Sequence, residues 1–375
     1  MAKIVVVGGG FAGVVAAERL ANELSDEHQI SLVSRSRNFV FYPALVRLAF
    51  GKCQPEDVSF DLRRTMLSRR INFIEAEVAR LDLFQRRVMI AHGDVEGKLP
   101  YDFLIFALGR RLATERITGF FENAHHLLSV DKALKFGKAV AAFEGGRAVI
   151  GQCDGARLPV PVYETAFALA QLLEHNGRAS DAKITIVSPD SPGLQLADRD
   201  VEIALTKMLD RHGIELLSDF PITQVKPGTV ITNDGRAVNS DLLMLLPPFQ
   251  GSSAASHLGI TNDEGYINVD WTMRVVGAER MYAVGDCVDF VGPKMGHMAV
   301  QQGEVAAANL ATEIDGHGPI SHYIHEMRAV IDEGGADSLY VHKDLWVNEP
   351  ASVKQGRFWR WAKQVQQRFW EAAHS

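Results

Sequence analysis

Two sets of residues in this 375-residue chain have types and spacings that suit chemistry on a large, charged ligand. Gly8, Gly10 and Gly13 form the pattern Gly-x-Gly-x-x-Gly between an apolar run at 3–7 and an alanine-rich stretch at 14–24. Such a turn lays backbone amides and a helix N-terminus against a pyrophosphate, so Gly8, Gly10, Phe11, Ala12 and Gly13 read as a dinucleotide cradle. Gly285 and Asp286 end another apolar run, at 279–287. Glycine admits a close backbone approach there, and the carboxylate is placed to accept hydrogen bonds from sugar-like hydroxyls. Pro293, Lys294, Met295 and Gly296 then lead into a long alanine-rich helix expected at 297–312, whose N-terminus can point at a ligand.

Alternating strands and helices must hold these groups. A second strand at 28–33 ends at Ser34 and Arg35, where a Rossmann half usually carries an acid for the ribose. The serine can still bond a ribose hydroxyl, and Arg35 meets a phosphate or faces solvent. The chain returns to the same sheet at 101–109, with an Ala107-x-Gly109 exit. A second glycine-rich strand at 145–155 is separated from its helix at 163–173 by an insert with two prolines. A nicotinamide turn sets its glycines tight against the helix start, so efficient NADH binding is not expected. A helix at 199–212, a strand at 214–217 and a hairpin at 230–238 complete the middle of the chain. The expected fold is α/β, with two Rossmann-like dinucleotide-binding domains: residues 1–110 and 237–318 form one, 111–236 interrupt it as the second, and 319–375 form a C-terminal region.

Composition narrows the function. A net charge of −7 leaves no basic field for nucleic acid. No apolar run has transmembrane length, and the first strand begins at once, so a cytoplasmic location is expected. The three cysteines, Cys53, Cys153 and Cys287, lack paired spacing, which argues against a disulfide scaffold or a zinc site, and no metal-ligand cluster is evident. His125 and His126 read as an exposed pair at the start of a short strand.

These motifs resemble the two-dinucleotide-binding-domain flavoproteins, in the branch that holds sulfide:quinone oxidoreductases, flavocytochrome c sulfide dehydrogenase flavoproteins and type II NADH dehydrogenases. The residues that carry the resemblance are Gly8 to Gly13, Phe39-Val-Phe-Tyr-Pro43, Ala107-Leu-Gly109, Leu246-Pro-Pro-Phe249, Val284-Gly-Asp286, Pro293 to Ala299 and Gln301-Gln-Gly303. The resemblance implies FAD, with its pyrophosphate on the first turn, Asp286 on the ribityl or pyrophosphate region, and Pro43, Ala107, Gly109 and Met295 along the cofactor. Lys294 and the helix N-terminus behind it would stabilise the charge of a reduced flavin. In sulfide:quinone oxidoreductases a redox cysteine shortly precedes a Pro-x-Tyr-Glu; matching Pro161-Val-Tyr-Glu164 to it puts Leu158 at that position. Cys153 lies five residues too early and is the one thiol left as a candidate, while no cysteine follows Cys287. Gln301 matches a head-group glutamine of type II NADH dehydrogenases, and His297 stands where their first glutamine would be and could pass a proton to a quinone. The resemblance thus implies electron transfer from a small-molecule donor through FAD to a quinone. Type II NAD(P)H:quinone dehydrogenase is the alternative, and a non-catalytic FAD-binding interaction protein a third.

The C-terminus adds a separate signal. Phe358, Trp361, Ala362, Val365 and Phe369 share one helical face, flanked by Trp359 and Trp370 and surrounded by Lys354, Arg357, Arg360, Lys363 and Arg368. Aromatic rings with nearby cations suit a membrane interface, which would make the protein peripheral on the inner face of the cell membrane. The other reading is that this face docks on the body of the protein or on a second copy in a homodimer.

Overall fold

The computed structural model describes residues 1–191, 194–335 and 337–374. Lys3–Val7 is a run of β-branched residues buried from Ile4 onward, as expected of a strand covered on both faces. It lies in a seven-stranded sheet ordered Met281–Ala283, Phe103–Phe106, Lys3–Val7, Gln29–Ser34, Asn72–Asp82, Arg87–Gly93, Gly97–Pro100. The first five strands pair in parallel and the last two extend the sheet antiparallel. The distant segment that ends in Gly285 and Asp286 is thereby brought beside the exit of Phe103–Phe106, close to the first glycine turn.

Two helices pack on each other beside this sheet, Phe11–Glu23 and Gly296–Asp315. Their backbones nearly touch: a Cβ on Gly303 would stand 2.5 Å from the Ala12 carbonyl oxygen. At the turn itself Gly8 has φ +115°, and a Cβ there would stand 2.0 Å from the Ala107 carbonyl oxygen. Only glycine meets both demands at these positions.

A second, fully parallel sheet has the order Glu215–Leu217, Ala182–Val187, Gly146–Gln152, Leu242–Leu246. Leu242–Leu246 falls in the stretch expected to rejoin the first sheet at residue 237; it pairs with Gly146–Gln152 instead. Its five consecutive buried residues suit the covered edge of either sheet, so hydrophobicity alone does not choose between them. The expected hairpin is present as Thr229–Thr232 and Ala237–Asn239, with Val230 opposite Val238.

His125 and His126 are not an exposed pair. His125 bridges to Met244 at the edge of the second sheet, and this pairing turns His126 inward, 5 % exposed, with Phe120 and Phe121 against its ring. Burial pushes His126 down to about 4, which keeps the ring neutral. A three-stranded antiparallel sheet, Glu326–Asp332, Ser338–Asp344 and Ser352–Gln355, and the helix Arg357–His374 close the fold. Among the described residues no helix is long and apolar enough to cross a membrane.

Replacing Gly303 with alanine is expected to lower stability by roughly 2 kcal/mol, because overpacking a backbone-to-backbone contact forces the helices apart. Denaturant unfolding of the variant should show a lower midpoint with an unchanged slope; an unchanged midpoint would refute this account.

Candidate functional site

The first glycine turn is anchored at both ends, by Gly8 N–H to the Val33 carbonyl at 2.7 Å and Ala107 N–H to the Val7 carbonyl at 2.7 Å. Helix Phe11–Glu23 starts from Gly10 with no side-chain cap, and nothing lies within 4 Å of where a Gly10 Cβ would be. No capping side chain takes up the N–H groups of its first turn, Phe11, Ala12 and Gly13 among them, and the positive end of the helix dipole lies behind them. Ser34 is buried; its hydroxyl donates to the Ser36 carbonyl at 2.8 Å and lies against Gly9, so it braces its own turn. Arg35 and Pro43 are exposed.

Across the sheet, Gly285 starts the turn Gly285–Cys287, and its N–H donates to the Gln302 Oε1 at 2.7 Å. Asp286 pairs with Arg110, whose guanidinium lies 3.9 Å over the Phe249 ring. Helix Gly296–Asp315 also starts without a side-chain cap, at Met295. A small cavity lies between the turn Gly285–Cys287 and the start of helix Gly296–Asp315, lined by Gly285, Asp286, Lys294, Met295, Met298 and Ala299 among others. The two uncapped helix starts lie close together, since a Cβ on Gly296 would stand 3.4 Å from the Phe11 ring and one on Gly285 3.3 Å from the Ala12 Cβ, with the Asp286 carboxylate beside them.

Lys294 is 6 % exposed, and its ammonium donates to the carbonyls of Val288 and Phe290, with the Tyr266 ring 5.0 Å away. Burial, then the neighbouring Arg157, push it down to about 7, against the pull of Asp286, Cys287 and Asp289. Arg157 belongs to the proline-containing insert. Its side chain donates to the Gly292 carbonyl at 2.8 Å and to that of Phe290, while its own carbonyl accepts from the Lys294 N–H at 2.9 Å. The insert is therefore fastened over the approach to helix Gly296–Asp315. Cys153 has 0 % exposure and sits in an apolar cluster with Val149, Val187 and Leu245. Burial, then Asp154, push its thiol well up, which disfavours a reactive thiolate.

His297 and Gln301 project together toward strand Glu326–Asp332. The His297 Nε2 stands 3.1 Å from both the Arg328 amide and the Glu326 carbonyl, and burial pushes the ring down, keeping it neutral. The Gln301 amide donates to the Glu326 Oε1 at 3.1 Å. Glu326 also accepts from His342 at 2.7 Å and pairs with Arg328 at 2.6 Å. Burial alone would raise its carboxyl, but the bonds from His342, Gln301 and Arg328 outweigh it and hold the group at about 2.

Arg110 and Glu326 were not picked out from the sequence, nor was the pairing of Glu164 with Lys363. Glu164 was visible within Pro161-Val-Tyr-Glu164, but its partner is 199 residues away. It is buried on helix Val160–His175, accepts from Lys363 of the C-terminal helix and from the Asp332 N–H at 2.8 Å, and burial raises its carboxyl against the pull of Lys363. The C-terminal helix docks by its polar edge and its flanking tryptophans. Trp359 stacks on Tyr340 at 4.1 Å, Arg360 pairs with Asp332 at 3.2 Å, Arg47 donates to Gln367 at 3.0 Å, and His374 pairs with Glu18. Trp370 reaches the first glycine turn, 5.0 Å from the Phe11 ring and 6.0 Å from that of Phe39. Phe358, Trp361, Val365 and Phe369 stay outside, the last 76 % exposed.

A largely parallel sheet with a glycine turn and a strand-end Gly-Asp side by side, followed by a second, parallel sheet, defines a protein built on two nucleotide-binding folds. The profile of the pyridine nucleotide-disulphide oxidoreductase family matches residues 2–303, and the chain belongs to that family. It is an FAD-dependent oxidoreductase. The chain is 23% identical over 355 residues to a type II NADH:quinone oxidoreductase of Haemophilus influenzae, covering 83% of this chain and 80% of that one. It is 28% identical over 273 residues to a sulfide-quinone reductase of Aquifex aeolicus, covering 69% of this chain and 61% of the relative. The solved sulfide:quinone oxidoreductase of Aquifex aeolicus has the same fold, with a TM-score of 0.90 at 22% identity, over 98% of this chain and 90% of that one.

Two predictions follow from the buried charges. Lys294 has a folded-state pKa of about 7 against an ordinary 10.5, so the unfolded chain binds the extra proton between those values. Stability of the FAD-free protein, measured relative to Lys294→Met, should therefore rise as pH goes from about 7 to about 10 and be flat below 7; a difference that falls over that window would contradict the burial of a charged lysine. Lys363→Met leaves Glu164 buried without its cation and should cost about 3 kcal/mol in urea unfolding, whereas adding Glu164→Gln should return most of it. Additive losses in the double variant would mean that the two side chains are not coupled.

Proposed function

We propose that this protein passes electrons from a small-molecule donor through FAD to a quinone at the surface of a membrane, in the manner of the sulfide:quinone oxidoreductase branch. FAD supplies the two-electron chemistry; the chain's own groups hold it and manage charge and protons. The amides of Phe11, Ala12 and Gly13 take the pyrophosphate, and Asp286, released from or shared with Arg110, takes hydroxyls. The N-terminus of helix Gly296–Asp315 and Lys294 offset negative charge on the reduced cofactor. His297 and Gln301, held against Glu326, face the acceptor.

The observation that carries this reading is the seat of the C-terminal helix. Its inner edge touches Phe11 at the cofactor turn through Trp370, while Phe358, Trp361, Val365 and Phe369 remain outside. An apolar surface with Arg357 and Arg368 beside it suits a lipid interface, and the contact of Trp370 with Phe11 supports the approach of a lipid-borne quinone from this side. Cys153 and Cys287 are both enclosed in the core, and on this reading the donor reacts with the cofactor directly. NADH as the donor is a second reading, favoured by the likeness to the Haemophilus influenzae enzyme and opposed by the insert that Arg157 fastens down where a nicotinamide turn would open.

Anaerobic mixing of FAD-loaded protein with sulfide, a small thiol, NADH or NADPH should bleach the flavin absorbance with sulfide or the thiol, and a soluble quinone should restore it. Bleaching by NADH alone would overturn the first reading in favour of the second. Trp361→Ser with Phe369→Ser should cut co-sedimentation with anionic liposomes by about tenfold or more, at roughly 25 cal/mol per Å2 of apolar surface kept from lipid, without moving the melting temperature. Equal pelleting would rule out membrane attachment through this face.

A further inference from the structure

The Gly285 N–H, which donates to the Gln302 Oε1 at 2.7 Å, is one end of a buried chain of hydrogen bonds. Gln302 is bonded to the Tyr323 hydroxyl, which lies 3.0 Å from the His325 Nδ1, and the His325 Nε2 lies 2.8 Å from the Val291 carbonyl. Gln302, Tyr323 and His325 are all buried, and Gln302 and His325 line the cavity beside Gly285 and Lys294. Both ends dictate the direction of the chain. The Gly285 N–H can only donate, so the Gln302 amide turns its oxygen to it and its nitrogen to Tyr323. The Val291 carbonyl can only accept, so His325 carries its proton on Nε2 and offers Nδ1 to the Tyr323 hydroxyl. Burial pushes the His325 ring down, which keeps it in this neutral form. Tyr323 therefore accepts from Gln302 and donates to His325, and bonds that run head to tail strengthen one another. The rings are caged: Phe290 stacks on Tyr323 at 5.4 Å, and Trp346 lies 5.8 Å from Tyr323 and 5.7 Å from His325.

We infer that Tyr323 and His325 are positioning residues for the cofactor: through Gln302 they hold the Gly285 backbone, and with it the Asp286 carboxylate, in place for FAD. The inference rests on the reading that FAD lies against the Gly285–Asp286 turn. Asp286 follows Gly285 directly, so a rotation of the Gly285 backbone carries the carboxylate with it. Gln302 fixes that backbone only while its own nitrogen is engaged; without the Tyr323 oxygen the amide is free to turn, and a buried donor is left unpaired. The far end of the chain is anchored as well. Val291 lies in the segment 288–292, where the carbonyls of Val288 and Phe290 accept from Lys294 and those of Phe290 and Gly292 accept from Arg157. His325 thereby ties the Gly285–Asp286 turn to the same segment that Lys294 and Arg157 hold.

The test is release of FAD from the loaded protein on dilution, followed by the rise in flavin fluorescence, from which the dissociation constant is read. Tyr323→Phe removes one oxygen from a caged ring, so the fold is kept, and it should weaken FAD binding roughly five- to tenfold, the effect of one buried hydrogen bond. His325→Gln can still accept at its oxygen and donate at its nitrogen, and should bind FAD within about twofold of wild type. In a Gln302→Met background, Tyr323→Phe should have no further effect, because Tyr323 acts through Gln302. A side chain that served only the general stability of the fold would give neither the rescue nor the loss of additivity. If Tyr323→Phe leaves FAD affinity unchanged, weakens it equally with and without Gln302, or is matched in its loss by His325→Gln, the inference fails. Asp286→Ala tests the reading beneath it. Unchanged FAD affinity in that variant would sink the placement of FAD at this turn, whereas a loss there with none in Tyr323→Phe would sink the inference alone.

Discussion

The near-contact of backbone with backbone around the first glycine turn is the constraint on which this structure depends. Gly8 lies against the Ala107 carbonyl and Gly303 against that of Ala12, so strand Phe103–Phe106, helix Phe11–Glu23 and helix Gly296–Asp315 meet with no side chains between them. That closeness brings the uncapped start of helix Phe11–Glu23 beside the Gly285–Asp286 turn, where a Cβ on Gly285 would stand 3.3 Å from that of Ala12. Extra bulk at Gly8 or Gly303 would move the amides at the start of helix Phe11–Glu23 away from the Asp286 carboxylate. The cofactor site is therefore a consequence of packing density at two positions more than of any one polar group.

Around this centre charges are placed at some energetic cost. Lys294 is buried with carbonyls as its hydrogen-bond partners, Glu164 is buried and answered by one lysine from the far end of the chain, and Glu326 keeps its charge only because three side chains bond to it. Lys294 stands at the cavity beside Gly285, while Glu164 and Glu326 tie strand Glu326–Asp332 to helices Val160–His175 and Gly296–Asp315. Polar groups held at a cost and beside a ligand space are what an oxidoreductase needs, since charge must appear and vanish there without rearrangement of the surroundings.

The C-terminal helix reverses the usual orientation of an amphipathic helix in a soluble protein. Its polar edge, through Arg360, Lys363 and Gln367, is tied to the body, and the outward stripe is aromatic and aliphatic. The spacing of Phe358, Trp361, Val365 and Phe369 identified the face, but no pattern within one helix says whether such a face points inward or outward. The ion pairs decide it: Glu164 and Asp332 lie on the body, buried or half-buried, and Lys363 and Arg360 must turn toward them.

Local order was legible wherever one stretch of chain carried its own signal. The strand, turn and helix at the N-terminus, the Gly-Asp exit at 285–286, the helix behind Lys294 and the hairpin at 230–238 all follow from short-range chemistry, because glycine conformation and hydrophobic period act over a few residues. What depended on partners far along the chain was not legible. Leu242–Leu246 joined the second sheet, His126 turned into the core, Cys153 was enclosed by residues from three strands, and Asp286 found Arg110. The sequence by itself determined which residues could bind a dinucleotide and that Cys153 was the sole thiol near the second turn. Only the tertiary structure decided that this thiol is sealed, that Gln301 bonds to Glu326, and that the aromatic face of the last helix is exposed, because burial and ionisation are properties of neighbours that no single segment carries.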